Sequence, residues 1–358
     1  MELVTIEVRS ERAAYRVLVG RGLASQASAW LPPDKGGVVT VSCAPVWRAV
    51  GARIRRVAGG TAVLIPDGER AKKLATVETL YEAFVRRKLD RAGVVVAIGG
   101  GVVGDVAGFA AATYLRGVRL VQVATTLLAQ VDSAVGGKVG VNLPSGKNLV
   151  GAFHAPSVVV CDPDVLRTLP RREFRAGLYE VIKYGVIRSK DLFERLERRM
   201  ETLREPDASD LPEIIADCCR IKAAVVSEDE REAGPRRMLN FGHTVGHALE
   251  ALTGYRRFRH GEAVAYGMLA AARISARRGL LAGEEEQRLQ AMIAALGSLP
   301  PVRDLRAGDA LEIVGRDKKR VRGRLTFVLA RGIGDTEMAA DVSAAELVAA
   351  MRAIGLKR

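Results

Sequence analysis

The chain is short of cysteine, of aromatic residues and of long apolar runs. Its four cysteines, Cys43, Cys161, Cys218 and Cys219, include no CxxC pair. That argues against a disulfide framework or a thiolate zinc site and leads us to expect a reducing, cytoplasmic setting. No run of about 18 uncharged apolar residues occurs, so nothing in the sequence signals a membrane span, and we expect no membrane partner. The stretch from Met1 to Val8 alternates apolar and polar like a strand and does not read as a signal peptide. An RNP motif, a zinc finger and an isolated basic tail are all missing. The formal net charge is +14, from 55 basic and 41 acidic residues, yet the basic residues are spread along the chain, so we expect no nucleic-acid partner. An anionic small substrate accounts for the charge at least as well, because a positive cleft concentrates it. A general bias toward Arg is a blander account.

What is present is ample for a packed core. At 358 residues and 48% hydrophobic composition, two domains or one large one are expected. Residues 37–41, 62–65, 94–98, 119–123 and 157–160 read as strands, with a helix from Thr76 to Lys88. Val94 to Ile98 is a continuous apolar run, as in a parallel strand covered on both faces. Strand–helix–strand repetition predicts a doubly wound α/β domain with a parallel-rich sheet over residues 1–162. From 163 to 358 the apolar spacing is helical, at 173–187, 191–203, 211–227, 244–252, 262–278 and 283–297, so a mainly α-helical second domain is expected. The stretch 315–335 reads as a hairpin, with 324–329 as one strand.

Five segments carry the polar chemistry. Gly99, Gly101 and Gly104 satisfy GxGxxG after a strand and before a helix, where backbone can approach a pyrophosphate. The acid expected about twenty residues on is missing, and a tight strand–helix turn is the bland alternative. Thr125 to Asn142, followed by Ser145 to Asn148, offers hydroxyls, Asp132, Lys138 and Lys147 and suits an anion, or else a surface loop; it is no Walker loop, since GxxxxGK[ST] fails. His243 and His247 are four apart, on one helical face, and His260 follows in His260-Gly261-Glu262. Such a concentration points to a catalytic metal such as zinc, against the alternative of core or capping histidines. It is no HExxH site, which sets a zinc peptidase aside. Glu180 and Lys183 share a helical face among apolar neighbours, either as a surface ion pair or as groups turned into a cleft. Arg231 to Asn240, with Lys222 one helix earlier, adds basic and amide groups before the histidines.

In this order and spacing the segments resemble the 3-dehydroquinate synthases. The likeness runs through Pro-Asp-Gly-Glu at 66–69 with Lys72, Gly-Gly-Gly-Val-Val-Gly-Asp at 99–105, Thr-Thr-Leu-Leu-Ala-Gln-Val-Asp-Ser at 125–133 and Gly-Gly-Lys at 136–138. It continues through Lys-Asn-Leu-Val-Gly-Ala-Phe at 147–153, Glu-Val-Ile-Lys-Tyr-Gly at 180–185, Asn-Phe-Gly-His-Thr-Val-Gly-His at 240–247 and His-Gly-Glu at 260–262. The resemblance implies an N-terminal Rossmann-like domain and a helical domain with the active site between them, in a homodimer. It implies an NAD- and zinc-dependent carbon–oxygen lyase, with cobalt as an alternative ion. The reaction would turn 3-deoxy-D-arabino-heptulosonate 7-phosphate into 3-dehydroquinate and phosphate by transient oxidation, elimination, re-reduction and aldol closure.

Carried over residue by residue, Glu180, His243 and His260 would be the metal ligands. His247 would help hold the phosphate and move a proton. Lys138, Lys183, Lys222, Arg236 and Asn240 would surround the substrate, Asp132 would lie near nicotinamide and substrate, and Arg116 would reach the phosphate from the partner subunit. Asp67, Gly68, Glu69, Arg70, Ala71 and Lys72 would bind NAD. So would Gly100, Gly101, Val102, Val103, Gly104, Asp105, Thr125, Thr126, Lys138, Lys147, Val165, Leu166, Arg167 and Thr168. Cys43 stands where the family often has an acid or amide for the adenosine ribose, and Ala124, Val139 and Tyr179 also depart from common family residues. The alternatives are another sugar-phosphate cyclase and an NAD- and metal-dependent alcohol dehydrogenase.

Overall fold

The computed structural model describes residues 3–11, 13–34, 36–54, 60–320 and 326–358. The chain divides into two compact units, Met1–Phe174 with Pro206–Arg231, and Arg175–Glu205 with Glu232–Arg358.

The first unit is built on a seven-stranded sheet. Its strands are β1 (Val4–Arg9), β2 (Ala14–Val19), β3 (Val38–Cys43), β4 (Val63–Ile65), β5 (Val94–Gly99), β6 (Arg119–Ala124) and, after a separate two-stranded hairpin of β7 (Lys138–Leu143) and β8 (Gly146–Phe153), β9 (Val158–Cys161). The order across the sheet is β1-β2-β9-β6-β5-β3-β4. Only the edge pair β1–β2 is antiparallel. β5 is buried at every residue, as a β-branched strand covered on both faces should be. β1 alternates exposed and buried, because one face of an edge strand is wetted. The helices of this unit are α1 (Ala27–Trp30), α2 (Ala44–Ile54), α3 (Leu74–Arg86) and α4 (Gly101–Thr113). α4 has almost no polar face and packs in the main core with Val95, Phe84 and Leu120.

The helices that follow are α5 (Arg171–Arg188), α6 (Lys190–Leu203), α7 (Leu211–Glu228), α8 (His243–Leu252), α9 (His260–Arg277), α10 (Gly283–Ala295), α11 (Ala307–Arg320) and α12 (Ala344–Ala353), with a hairpin of β10 (Phe327–Ala330) and β11 (Thr336–Ala339) between α11 and α12. α7, which lies in the second domain by sequence position, packs against β1 and β2 of the first unit. Sequence periodicity records that α7 has an apolar face but not which surface receives it. Two expectations change. The hairpin read at 315–335 lies further on, because α11 continues to Arg320; positions 324 and 325 fall outside the described residues. The segment from Thr125 is no open loop but a π-helical turn, Ala129–Ser133, followed by the β7–β8 hairpin. Its valines, Val139 and Val141, are buried in the main core, so a sequence rich in glycine and lysine still has an inward face.

Candidate functional site

Each parallel strand of the first unit delivers its polar loop at its carboxyl end. The chain leaves β3 toward β4 on one side and later places β5 on the other. The crevice at such a reversal is where open α/β sheets bind ligands. Cys43 ends β3 and the Gly99–Gly101 turn ends β5, so both stand at this switch point. Gly100 caps α4 with no side-chain hydrogen bond, and no acid lies in the first turn of the helix. The positive end of the helix dipole is therefore left to an anion. One motif glycine has a second reason to be there. A Cβ at Gly104 would lie 2.6 Å from Gln122 Oε1 of β6, so it is close helix–sheet packing that demands glycine at this position.

Around this turn the polar groups are tied together. Lys72 Nζ lies 2.5 Å from Asp105 Oδ2, and both are shielded. Burial pushes the Asp105 carboxyl up to about 6, against the pull of Lys72. The hairpin docks on the 69–72 turn: Asn142 N–H donates to the Lys72 carbonyl at 2.8 Å and Asn142 Nδ2 donates to Glu69 Oε1 at 2.7 Å. Lys147 Nζ lies 3.8 Å from the same Glu69 oxygen. Lys222 Nζ, on α7, donates to Asp132 Oδ1 at 2.5 Å and to its carbonyl at 2.6 Å. Thr125 Oγ1 and Ser133 Oγ are buried without a hydrogen-bond partner among the described residues. Buried hydroxyls left in this state cost free energy until something bonds them, and a bound polar ligand would do so. Cys43 Sγ donates to Asp67 Oδ1 at 3.5 Å, and burial pushes its thiol up. A neutral thiol on that carboxylate thus stands in the place of the expected acid or amide.

In the second unit three helices converge. α5 supplies Glu180, α8 supplies His243 and His247, and α9 opens with His260. Glycines allow the approach. A Cβ at Gly261 would fall 1.8 Å from the Ala176 carbonyl oxygen of α5, and one at Gly267 would fall 1.7 Å from the Gly242 carbonyl oxygen before α8. Glu180 and Lys183 are fully buried, with Lys183 Nζ 2.5 Å from Glu180 Oε2, which rules out the surface ion pair. Glu180 Oε1 turns the other way. It lies 3.8 Å from His243 Nε2 and 3.7 Å from His260 Nε2, and no donor among the described residues hydrogen-bonds it.

The imidazole protons are assigned by their neighbours. His243 Nδ1 faces the Phe241 carbonyl at 3.1 Å and His260 Nδ1 faces Glu250 Oε2 at 3.4 Å. The Phe241 carbonyl can only accept, so the neutral His243 carries its proton on Nδ1 and presents its Nε2 lone pair toward Glu180, while the His260 ring stands between two carboxylates. Burial, with Lys183 behind it, holds His243 well below the usual histidine range, so the ring is neutral. Two imidazole nitrogens close to a carboxylate oxygen that has no hydrogen-bond donor among the described residues form a donor set that fits a cation. Donor atoms about 2.1 Å from a tetrahedral zinc lie roughly 3.4 Å apart, and Glu180 Oε1 stands a few tenths of an ångström beyond that spacing from each Nε2. His247 is exposed, its ring edge-on to His243 at 5.3 Å between centroids. The ligand nitrogens of His243, His247 and His260 all lie within 4.8 Å of one another.

The remaining sequence-derived residues divide between the units. Lys138 is exposed at the start of β7, and Arg116 is exposed where Leu115 and Arg116 both take left-handed backbone. Val165 and Leu166 are buried in the turn Pro163–Thr168, and Thr168 Oγ1 donates to the Val165 carbonyl at 3.0 Å. Arg236 is buried in the turn Pro235–Asn240 and Asn240 Nδ2 donates to Glu232 Oε1 at 2.6 Å. The fourth histidine, His154, lies in the first unit and faces the Val118 carbonyl at 2.9 Å.

The 3-dehydroquinate synthase N-terminal family matches residues 62–176 and the C-terminal family matches residues 177–320. A 3-dehydroquinate synthase of Solibacter usitatus is 46% identical over 350 residues, covering 96% of this chain and 98% of that one. The chain belongs to the 3-dehydroquinate synthase family. It is thereby an enzyme, with the Rossmann-like and helical halves expected from its sequence. Among solved structures, a 2-deoxy-scyllo-inosose synthase complexed with carbaglucose-6-phosphate, NAD+ and Co2+ is 27% identical, with a TM-score of 0.87 over 98% of this chain and 99% of that one. A 2-epi-5-epi-valiolone synthase of Streptomyces hygroscopicus with NAD+ and Zn2+ bound is 26% identical, with a TM-score of 0.88 over 97% and 98%. The 3-dehydroquinate synthase family thus stands well above these other cyclases in identity. Sequence reasoning passed over Glu250 and Glu232, since an acid near a helix end or in a charged loop carries no local mark of what it will touch.

Proposed function

We propose that this member of the 3-dehydroquinate synthase family converts 3-deoxy-D-arabino-heptulosonate 7-phosphate into 3-dehydroquinate and phosphate, with NAD and a divalent metal, zinc or cobalt. The single observation that carries the reading is the convergence of Glu180 Oε1 with the Nε2 atoms of His243 and His260, in a chain of this family. When bound, NAD would accept a hydride and the metal would act as a Lewis acid on the substrate hydroxyl.

The chain's own residues have defined tasks in this reading. Glu180, His243 and His260 hold the metal. Lys183, buried against Glu180, pairs with that carboxylate and binds a substrate oxygen. Arg236 and Asn240 bind anionic and hydroxyl groups, for which a guanidinium and an amide are suited. His247, exposed beside the ligand histidines, meets the phosphate and moves a proton at its imidazole. Lys222 is fixed by Asp132 and, with Lys138, binds the substrate. The turn at 99–105, together with residues 67–72, Thr125, Thr126, Lys147 and residues 165–168, binds NAD. Thr125 Oγ1 and the uncapped end of α4 support that assignment. A homodimer, with Arg116 reaching a neighbouring subunit's phosphate, and a cytoplasmic setting, favoured by four free buried thiols, belong to the same proposal.

The test is phosphate release from 3-deoxy-D-arabino-heptulosonate 7-phosphate with catalytic NAD, before and after chelation. We expect release that needs metal, dehydroquinate in step with it, and no net NADH, because substrate and products together are at one oxidation level. A zinc- and NAD-loaded protein that leaves this substrate untouched but turns over a heptulose 7-phosphate would overturn the reading.

A further inference from the structure

We propose that Glu250 is a positioning residue for the metal: it holds His260 in the ring orientation and tautomer that aim Nε2 at the Glu180 carboxylate. The inference rests on the metal reading above and goes beyond it, since it concerns a residue that would not touch the ion.

Three observations carry it. First, Glu250 Oε2 lies 3.4 Å from His260 Nδ1 while His260 Nε2 lies 3.7 Å from Glu180 Oε1. One ring thus bridges two carboxylates, with Glu250 the acceptor on the Nδ1 side. Second, Glu250 is 6% exposed and sits in the last turn of α8, which ends at Leu252. A negative side chain there opposes the helix dipole, and its burial adds a desolvation cost. A carboxylate in so unfavourable a place is compensated by an imidazole N–H, and more strongly once a dication on the far nitrogen polarises that N–H. Third, the contact is not local. Glu250 and His260 are on successive helices, α8 and α9, joined by a turn in which Gly254 and Tyr255 take positive φ and Tyr255 N–H donates to the Glu250 carbonyl at 2.7 Å. The turn therefore ties the backbone of Glu250 to the path that leads to His260. His243 has a neutral carbonyl in the equivalent position, at Phe241, so the two ligand rings are supported by unequal acceptors. His260 is also the more open of the two, with its side chain 27% exposed against 11%, and gains more from an anchor.

Partners of this kind change metal affinity by about 10- to 100-fold when removed. The experiment is chelator competition for zinc on the full chain, wild type against Glu250→Ala and Glu250→Gln, with the visible spectrum of the cobalt-loaded forms as a second readout. We expect wild type to bind one equivalent tightly, E250A to lose about 10- to 100-fold in affinity with an altered cobalt spectrum, and E250Q to recover part of the loss. The glutamine amide oxygen still accepts from Nδ1–H but brings no charge. Should E250A not fold, E250Q alone decides, since it is isosteric and should fall measurably below wild type. Wild-type affinity and an unchanged cobalt spectrum in E250Q would overturn the proposal while leaving the metal site standing. A wild type that binds no zinc would overturn both.

Discussion

Tyr179 and Glu180 are neighbours in the chain, and both are fully buried, yet they should respond oppositely to loss of a polar atom. The Tyr179 hydroxyl has no hydrogen-bond partner among the described residues, and burial pushes it up to about 12. Replacing an unsatisfied buried hydroxyl with hydrogen removes a cost of about 1–3 kcal/mol. Tyr179→Phe should therefore leave stability unchanged or raise it, as read by denaturant unfolding. A clear loss would mean the hydroxyl is satisfied. Glu180→Gln removes the one charged ligand and leaves Lys183 beside a neutral amide, so zinc affinity should fall by at least about 100-fold, more than second-layer changes produce. Asp105 gives a pH signature. Its folded pKa, about 6, is raised above the ordinary 3.8, so its contribution to stability is fully present below pH 3.8 and is lost as pH rises through about 6. Against Asp105→Asn, wild type should lose relative stability across that window. A difference that stays flat from pH 4 to pH 7 would contradict the assignment.

At the scale of elements, close helix approach sets the metal-binding geometry. Gly261 meets the Ala176 carbonyl where a Cβ would stand 1.8 Å away, so Gly261→Ala must push α9 from α5 and carry His260 away from Glu180. We expect loss of zinc binding with a destabilisation of about 1–3 kcal/mol or more. Native-like metal affinity would show that the helices are set otherwise. α12 starts with a capping box of Ser343 and Glu346, and Arg278 donates to both Glu346 oxygens, at 2.7 and 2.9 Å. These bonds hold Glu346 down at about 2. Its contribution is present above the ordinary value near 4.5 and fades as pH falls toward 2. Because the side chain is part exposed, solvent discounts the ion pair, and Glu346→Ala should cost about 1 kcal/mol, mainly as the lost cap. The box was there to be read in the sequence as Ser343-Ala344-Ala345-Glu346, but α12 was not anticipated, because a short alanine-rich stretch shows weak apolar periodicity, and the end of α11 reads as part of the hairpin at 315–335.

For the whole molecule, two ligands should act on two units. Zinc at about 100 times its dissociation constant adds about 2.7 kcal/mol to whatever unfolds with the site. Hydrogen exchange should show zinc protecting amides of α5, α8 and α9, and NAD protecting the turns at 66–72 and 99–104. Protection that appears in the opposite units would undo the division of labour.

The sequence by itself determined the parallel strands, the glycine turn after β5 and the histidine segment, because each is local. Apolar runs specify strands, and a four-residue spacing puts His243 and His247 on one face. The family likeness extended that to Glu180 and the lysines. Only the tertiary structure decided what each group faces. It buried the Glu180–Lys183 pair and turned Glu180 Oε1 toward both His243 and His260. It also set Glu250 behind His260, laid α7 on the first unit and gave Val139 and Val141 a core to enter. These are contacts between elements distant in the chain. They depend on which surfaces pack together and how closely, and a one-dimensional pattern of residue types records neither.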